Sequence, residues 1–546
     1  MKRFIALIVI LASFVVAFAQ PQQGLTKGVA DRSYSPFRGN GCIALKCFAP
    51  MQTAVTATSI SSGSTGITFR TRHEVISSGG EEGVRLTYSN FTSAAVGDGS
   101  ISEASPNNTI TVKVAMEYWE SGSLVGTYPV FFNGQRSITI DINGSAVSDI
   151  VPCPVIRGGV IFDRVYASVA ATGNYLPLTV NSRQSSTVTY NRSGESEGRI
   201  TGDHCDDGST ITVGNVLTYA ASAITGVSGR TKSLGVFGDS IAWGQAGALD
   251  EFGFIMRRAY IDGVGVINLA RGSDRIHNLV TQTYNFRRLQ LALQSCAAFY
   301  TNLGTNDLNG SRTAIQVAGE LNTWHTRLRR LGRPSYQSTI LPRNTSSDSF
   351  TTYAGQTKPA WEAERILLND WMRGVQNSVY ASVGAPTFSG YVEAGAYLET
   401  DVNGVLTQNG GYWLVNTTPQ YTGSATTTAT GTTLTDTNGN YTFGWSTSTG
   451  LCTGTCGMYI KFTSGANSGT VKQITNAPTS TTLTFTGSLT ITTGDTYQIL
   501  YIYTNDGTHP SDSGHDKEAQ AFPNITGWVT ALLGMNITPN GAAYSI

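Results

Sequence analysis

Three short runs of this chain hold residue types that can do chemistry on one another: Gly238-Asp239-Ser240, Gly304-Thr305-Asn306-Asp307 and Asp506-Gly507-Thr508-His509-Pro510. A serine hydroxyl attacks poorly until a base removes its proton, and a histidine held by a carboxylate is the usual base. Asp506 and His509 stand three positions apart, so one turn places both side chains on the same side. Ser240 follows the apolar run 233–237 and a glycine. The run predicts a buried strand, and Gly238 lets the backbone turn sharply at its carboxyl end. In an open α/β sheet that edge is where ligands bind. The set points to nucleophilic acyl chemistry, with Ser240 as nucleophile and His509 as base. His515, six positions beyond His509, is the rival base, and on a helix it would face elsewhere.

The elements that must position these residues alternate in type. Apolar runs predict strands over 233–237, 265–269, 297–303 and 338–342. Helical periodicity covers 251–260, 285–293, 314–330 and 361–375, the last with Ala363, Ile366, Leu367 and Trp371 on one face. Such alternation predicts a parallel sheet with helices on both faces. Pro510 suits the first turn of a further helix, and 511–522 reads as a surface helix.

In chain order, four blocks resemble the SGNH (GDSL-type) hydrolases: GDSI at Gly238–Ile241, NLARGSD at Asn268–Asp274, GTND at Gly304–Asp307 and DGTHP at Asp506–Pro510. The resemblance implies a three-layer α/β/α sandwich and ester hydrolysis through an acyl-enzyme. Ser240 would be the nucleophile, His509 the general base and then acid, and Asp506 the group that orients His509. The oxyanion would be held by the Ser240 backbone N–H, the Asn306 side-chain amide and a backbone N–H of the second block. Counting from either end of that block gives registers one residue apart. Gly272 is the identity match and Ser273 the positional rival. Losing one such donor typically costs ~100–1000-fold in rate. No cofactor and no metal is implied.

Around this core the texture changes. Residues 20–229 carry short β-type runs between Gly, Asn and Ser turns, including 84–88, 110–118, 126–132 and 137–142. They predict a β-sandwich, carbohydrate-binding if Tyr118, Trp119, Phe131 and Phe132 form a platform rather than core. The hydrolase core reads as 230–422 and 501–546. The Thr- and Gly-rich stretch 423–500 interrupts it with strand-like runs over 431–437, 458–463, 470–475, 481–486 and 496–503. Its wording resembles a small β module of phage-tail and surface proteins. Entering just before the Asp-His loop, it should emerge beside Ser240, either as a wall of the cleft or as a tolerated surface insertion.

Residues 1–19 read as a signal peptide: Lys2 and Arg3, an apolar run too short to span a bilayer, then Ala17-Phe18-Ala19. The 546 residues carry a formal net charge of zero, with 13% charged residues, which argues against nucleic-acid or membrane binding by bulk charge. Seven cysteines suit an exported chain. Cys42 with Cys47, Cys452 with Cys456 and Cys153 with Cys205 are the candidate pairs, and Cys296 is a buried free thiol. Asp239 and Asp307 should brace local backbone, His73 and His204 are lone histidines, His277 suits the surface, and Arg271 and Arg275 either meet an acidic substrate group or pair locally. The expected function is a secreted serine esterase removing O-acyl groups, especially acetyl, from polysaccharide. A lipase or general carboxylesterase and a non-catalytic glycan-binding surface protein are the alternatives.

Overall fold

The computed structural model describes residues 47–48, 53–56 and 64–530, apart from 78–79, 96–100, 105, 181–197, 210, 212–216, 229–230, 232, 246–252, 282–285, 376–377, 440 and 442–457. The leader-like run 1–19 and Cys42, Cys452 and Cys456 lie outside the described residues.

The protein is mixed α/β around a parallel sheet. Its strands are β1 (Cys47–Phe48), β2 (Ser233–Phe237), β3 (Gly265–Asn268), β4 (Ala298–Thr301), β5 (Ser335–Ser338) and β6 (Gly390–Val392). They lie in the order β1-β3-β2-β4-β5-β6, and every pairing is parallel. β2 to β5 are buried along their whole length, as strands covered on both faces must be. Successive side chains alternate between faces. Leu234, Val236 and Val266 pack with Phe254, Ile255 and Met256 of one helix and Ala519 of another. Phe237, Ile267 and Phe299 pack on the opposite side with Leu289, Ala292, Leu321, Trp324 and Leu368.

The helices are α1 (Ser240–Trp243), α2 (Phe254–Asp262), α3 (Ile276–Thr281), α4 (Phe286–Ser295), α5 (Thr305–Asn309), α6 (Ala314–Arg330), α7 (Glu362–Met372) and α8 (Asp512–Ala521). α6 starts where its sequence says: Thr313 caps Gln316 N–H and Gln316 reaches back, a closed capping box.

Three sequence expectations are corrected here. The strand expected over 338–342 lies at Ser335–Ser338. Pro342 has no N–H, and the Ile340 backbone is taken by Asn369, whose Oδ1 accepts from Ile340 N at 2.7 Å and whose Nδ2 donates to Ile340 O at 2.9 Å. Segment 339–344 is therefore a loop. The helix after His509 is not a surface helix, because Asp512, Asp516 and Glu518 are buried. Fully buried Arg257 of α2 donates to Asp512 at 2.7 Å and Asp516 at 2.8 Å, so its two aspartates face inward as ion-pair partners. Pro510 also precedes the cap rather than opening the helix, since Ser511 is the N-cap.

The N-terminal β region pairs Gly66–Glu74, Val160–Ser168 and Ile110–Glu120 in one antiparallel sheet and Ser145–Val147, Val84–Ser89 and Ala223–Gly226 in another. Both feed one apolar cluster that includes Phe69, Leu86, Tyr88, Val114 and Val165. Tyr118 and Phe132 are buried and Trp119 packs edge-on to Phe162, so the four aromatics do not form an exposed platform. Cys153 and Cys205 are both free and buried, not paired. The Cys205 sulfur accepts from Tyr166 N and sits against the Lys113 and Arg164 carbonyls, and burial pushes it up to about 12. Cys296 is a free buried thiol as expected.

The interrupting stretch forms a six-stranded sheet spanning Tyr421–Ser424 to Thr496–Tyr501, with its own core of Ile460, Phe462, Ile474, Leu483, Phe485 and Ile499. Tyr459 and Leu500 instead join the cluster that holds α2 and α8, which seats the sheet on the α/β core. Truncating Arg257 to Ala leaves two buried aspartates without their cation. We expect a loss of ~3–5 kcal/mol in denaturant unfolding, and a loss under ~1 kcal/mol would contradict this role for Arg257.

Candidate active site

Ser240 opens α1 at the carboxyl end of β2. Asp239 caps that helix, its Oδ1 accepting from Ile241 N at 2.9 Å and from Asn302 Nδ2 at 2.9 Å. Asn302 answers by accepting from Asp239 N at 3.2 Å. The turn needs glycine for space: a Cβ on Gly238 would lie 2.4 Å from both Ala242 Cβ and Asn302 Oδ1. Asp239 thus braces local backbone, as its place in the sequence suggested. Burial pushes its carboxyl up to about 6, against the hydrogen bonds from Asn302 and Ile241.

The structure brings Ser240, His509 and Asp506 together across 269 positions of chain, with Ser240 Oγ 2.7 Å from His509 Nε2. On the other ring edge, His509 Nδ1 lies 2.6 Å from Asp506 Oδ2. A carboxylate can only accept, so Nδ1 carries the proton and Nε2 is left to accept from the serine hydroxyl. Asp506 Oδ1 also accepts from Thr508 N and His509 N, each at 2.8 Å. Burial alone would raise this carboxyl, but the bonds from His509 and Thr508 outweigh it and hold it below its usual value.

The Asp-His loop is pinned from outside. Gly507 O accepts from Asn344 N at 3.0 Å and Trp413 Nε1 at 2.9 Å. Gly507 itself has φ +73°, and a Cβ there would lie 1.8 Å from Asn344 O. Thr504 Oγ1 closes the turn, accepting from Gly507 N and donating to His509 O.

Of the oxyanion candidates, the Ser240, Gly272 and Ser273 backbone N–H groups make no hydrogen bond among the described residues. Gly272 and Ser273 therefore both remain open as donors. Ser273 is exposed and left-handed, φ +66°, at the tip of a turn closed by Asp274 N onto Arg271 O. Arg271 N holds the loop to Gly238 O at 2.8 Å. Asn306 Nδ2 donates to Asp274 O at 3.2 Å.

Sequence reasoning missed what holds this loop. Fully buried Arg288 donates to Asp274 Oδ2 at 2.8 Å and to Leu269 O at 3.0 Å. It also pairs with Glu103, 185 positions earlier in the β-rich N-terminal region. Arg271 is likewise buried and donates to Ser93 O at 2.8 Å, so it does not face substrate. Asn302, Arg343, Asn344 and Trp413 were also missed. The only sequence signal for Arg343 and Asn344 is their place just after Pro342, in the loop that follows β5.

The remaining titratable groups have structural partners. Asp307 accepts from Ile276 N at 3.0 Å and His277 N at 3.1 Å, which caps α3, and burial pushes it up to about 7. His277 meets Glu320 at 2.6 Å on the surface side of α3. His515 is buried against Phe254, and burial holds it well below its usual value, so it does not compete as base. His73 is buried on Asp163 at 3.0 Å, and His204 meets Asp207 at 2.6 Å. Among the described residues no group of three or more His, Cys, Asp or Glu could hold a metal, and no helix is long and apolar enough to cross a membrane.

The inserted sheet packs on the core next to the Asp-His loop. A cavity of about 260 Å³ is lined by Tyr459, Val471, Lys472, Gln473 and Thr486 of the insertion and by Ser349, Ile502 and Asn505 of the core. Tyr459 is hydrogen-bonded to the Asn505 side chain, one residue from Asp506.

No family model matches the chain, and no curated protein matches it. Among solved structures, it is similar to a GDSL-like lipase from Bacteroides thetaiotaomicron (13% identity, 33% of this chain and 80% of that one, TM-score 0.22). It is similar also to a salicylyl-acyltransferase from a tetracycline biosynthetic pathway (12% identity, 58% and 69%, TM-score 0.23). A third is an SGNH-hydrolase family esterase (18% identity, 21% and 62%, TM-score 0.17). Likeness this slight leaves the chain's activity to be read from its own site.

The raised Asp239 carboxyl fixes a sign. A folded value above the unfolded one means the native state binds the proton more tightly, so this group's contribution to stability is greatest below about pH 4 and is lost as pH rises through about 6. Asp239→Asn keeps the cap and removes that slope. Relative to wild type, its unfolding free energy should improve by up to ~3 kcal/mol between pH 4 and 7. Parallel pH profiles for the two proteins would contradict this.

Proposed function

We propose that this protein is a serine ester hydrolase of the SGNH type, with a three-layer α/β/α core, acting on O-acyl esters. One observation carries the reading: Ser240 Oγ stands 2.7 Å from His509 Nε2 while Asp506 holds the opposite nitrogen at 2.6 Å. His509 takes the Ser240 proton as Oγ bonds to the ester carbonyl carbon. The carbonyl oxygen becomes an oxyanion, met by the Ser240 N–H, the Asn306 amide and a backbone N–H of Gly272 or Ser273. His509 then gives the proton to the leaving alkoxide as the ester C–O bond breaks. Water, deprotonated by the same imidazole, attacks the acyl-enzyme, and return of the proton to Ser240 releases the acid.

The substrate we propose is an O-acetylated polysaccharide, met outside the cell. The leader-like pattern of residues 1–19 supports export. Hydroxyl, amide and ammonium groups line the cavity between insertion and core alongside Val471 and Ile502, and with Asn505 one residue from Asp506 it offers a polar docking surface for a sugar near the Asp-His loop. An intact and pinned triad also weighs against a purely glycan-binding protein.

Ser240→Ala should lower the rate on p-nitrophenyl acetate by more than ~1000-fold. Equal rates would reject the assignment. Acetate should be released from at least one of acetylated xylan, pectin or peptidoglycan, in preference to long-chain acid from a lipid ester. Turnover confined to long-chain esters would favour the lipase reading.

A further inference from the structure

The Asn306 amide has one oxygen and two hydrogens, and its surroundings account for all but one hydrogen. Oδ1 accepts from Arg343 Nη1 at 3.2 Å. Nδ2 donates one hydrogen to Asp274 O at 3.2 Å. A guanidinium can only donate and a backbone carbonyl can only accept, so the reversed amide would face two mismatched partners. The second Nδ2 hydrogen stays free, at the block where an oxyanion donor is wanted.

Arg343 is fixed for this task. The Ile340 backbone is bracketed by Asn369, and its carbonyl also accepts from buried Arg365 at 2.8 Å. On the other side, Asn344 N is tied to Gly507 O. Arg343 is half-buried, and no carboxylate forms an ion pair with it among the described residues. The charges that act on it are those of Asp239 and Asp506, beside the nucleophile and in the Asp-His loop. Its cation is thus held inside the site without being committed to a structural salt bridge.

We propose that Arg343 is a positioning residue for the oxyanion: it locks the Asn306 amide in its productive orientation and polarises it. A charged donor on Oδ1 draws electron density from the amide, which makes the remaining N–H a stronger donor. The amide is then set before substrate arrives, and no reorganisation is needed as charge develops. This rests on the ester-hydrolase reading above. A guanidinium that instead bound a substrate carboxylate would act on KM, and only for anionic esters.

The test is a double-mutant cycle on a neutral ester, p-nitrophenyl acetate, with thermal melting to show that each variant is folded. Asn306→Ala should cost ~100–1000-fold in kcat, and Arg343→Ala ~10–100-fold of that, with KM little changed. In the Asn306→Ala background, Arg343→Ala should add less than about twofold, since its target is gone. Arg343→Lys should recover part of kcat. Fully multiplicative losses, or a loss confined to KM, would overturn the proposal.

A crystal structure of Arg343→Ala decides the point without turnover. The Asn306 amide should leave Asp274 O or occupy two rotamers, and an unmoved amide would overturn the proposal. If wild type shows no Ser240-dependent turnover, the ester reading falls while the amide's position still settles what Arg343 does.

Discussion

The site depends on one short loop holding an imidazole at a fixed place opposite a serine that arrives from a distant strand. Ser240 is placed by β2, its glycine turn and the Asp239 cap. His509 is placed by a turn with little regular structure of its own. That turn holds because Asp506 accepts three hydrogen bonds from within it, and because Gly507 O is gripped by Asn344 and Trp413. Each bond is modest, about 1 kcal/mol net. Together they remove the freedom that would let the imidazole drift from Ser240, and so do in advance the ordering that catalysis requires.

Buried arginines organise the shell around that loop. Arg257 ties α2 to α8, Arg288 ties the 271–274 loop to Glu103, and Arg365 fixes the loop after β5 through Ile340 O. Each is fully buried and donates to carboxylates or carbonyls from separate stretches of chain. Such pairs add little to net stability, but losing one partner strands a charge. Their use here is geometric, since a planar fork fixes two or three elements at once. Through Glu103 and Ser93 the N-terminal β region supports the 271–274 loop and Arg288 directly.

The proposed catalytic set was legible because it sits at chain punctuation. β2 is a short apolar run cut off by glycine, and the Asp-His pair lies within one turn. α6 was legible from its apolar spacing, and Thr313 with Gln316 closes its start. What stayed hidden has a common cause. Ser335-Tyr336-Gln337-Ser338 is polar in sequence yet buried, because a central parallel strand satisfies its backbone on both sides and its hydroxyls find partners. Likewise α8 looks like a surface helix because its acidic residues are buried by an arginine 255 positions away. Hydropathy reads a residue's own preference and not the partner that satisfies it. For the same reason Cys153 and Cys205 looked like a pair, while each is buried as a free thiol.

The most direct test of the central claim is covalent. Treating the protein with a fluorophosphonate and mapping its peptides by mass spectrometry reports whether one alcohol is activated by the imidazole. The account requires about one phosphonyl group per chain, on Ser240, with labelling lost in His509→Ala and strongly slowed in Asp506→Ala. Labelling elsewhere, or labelling of Ser240 at an undiminished rate in the folded His509→Ala protein, would contradict it.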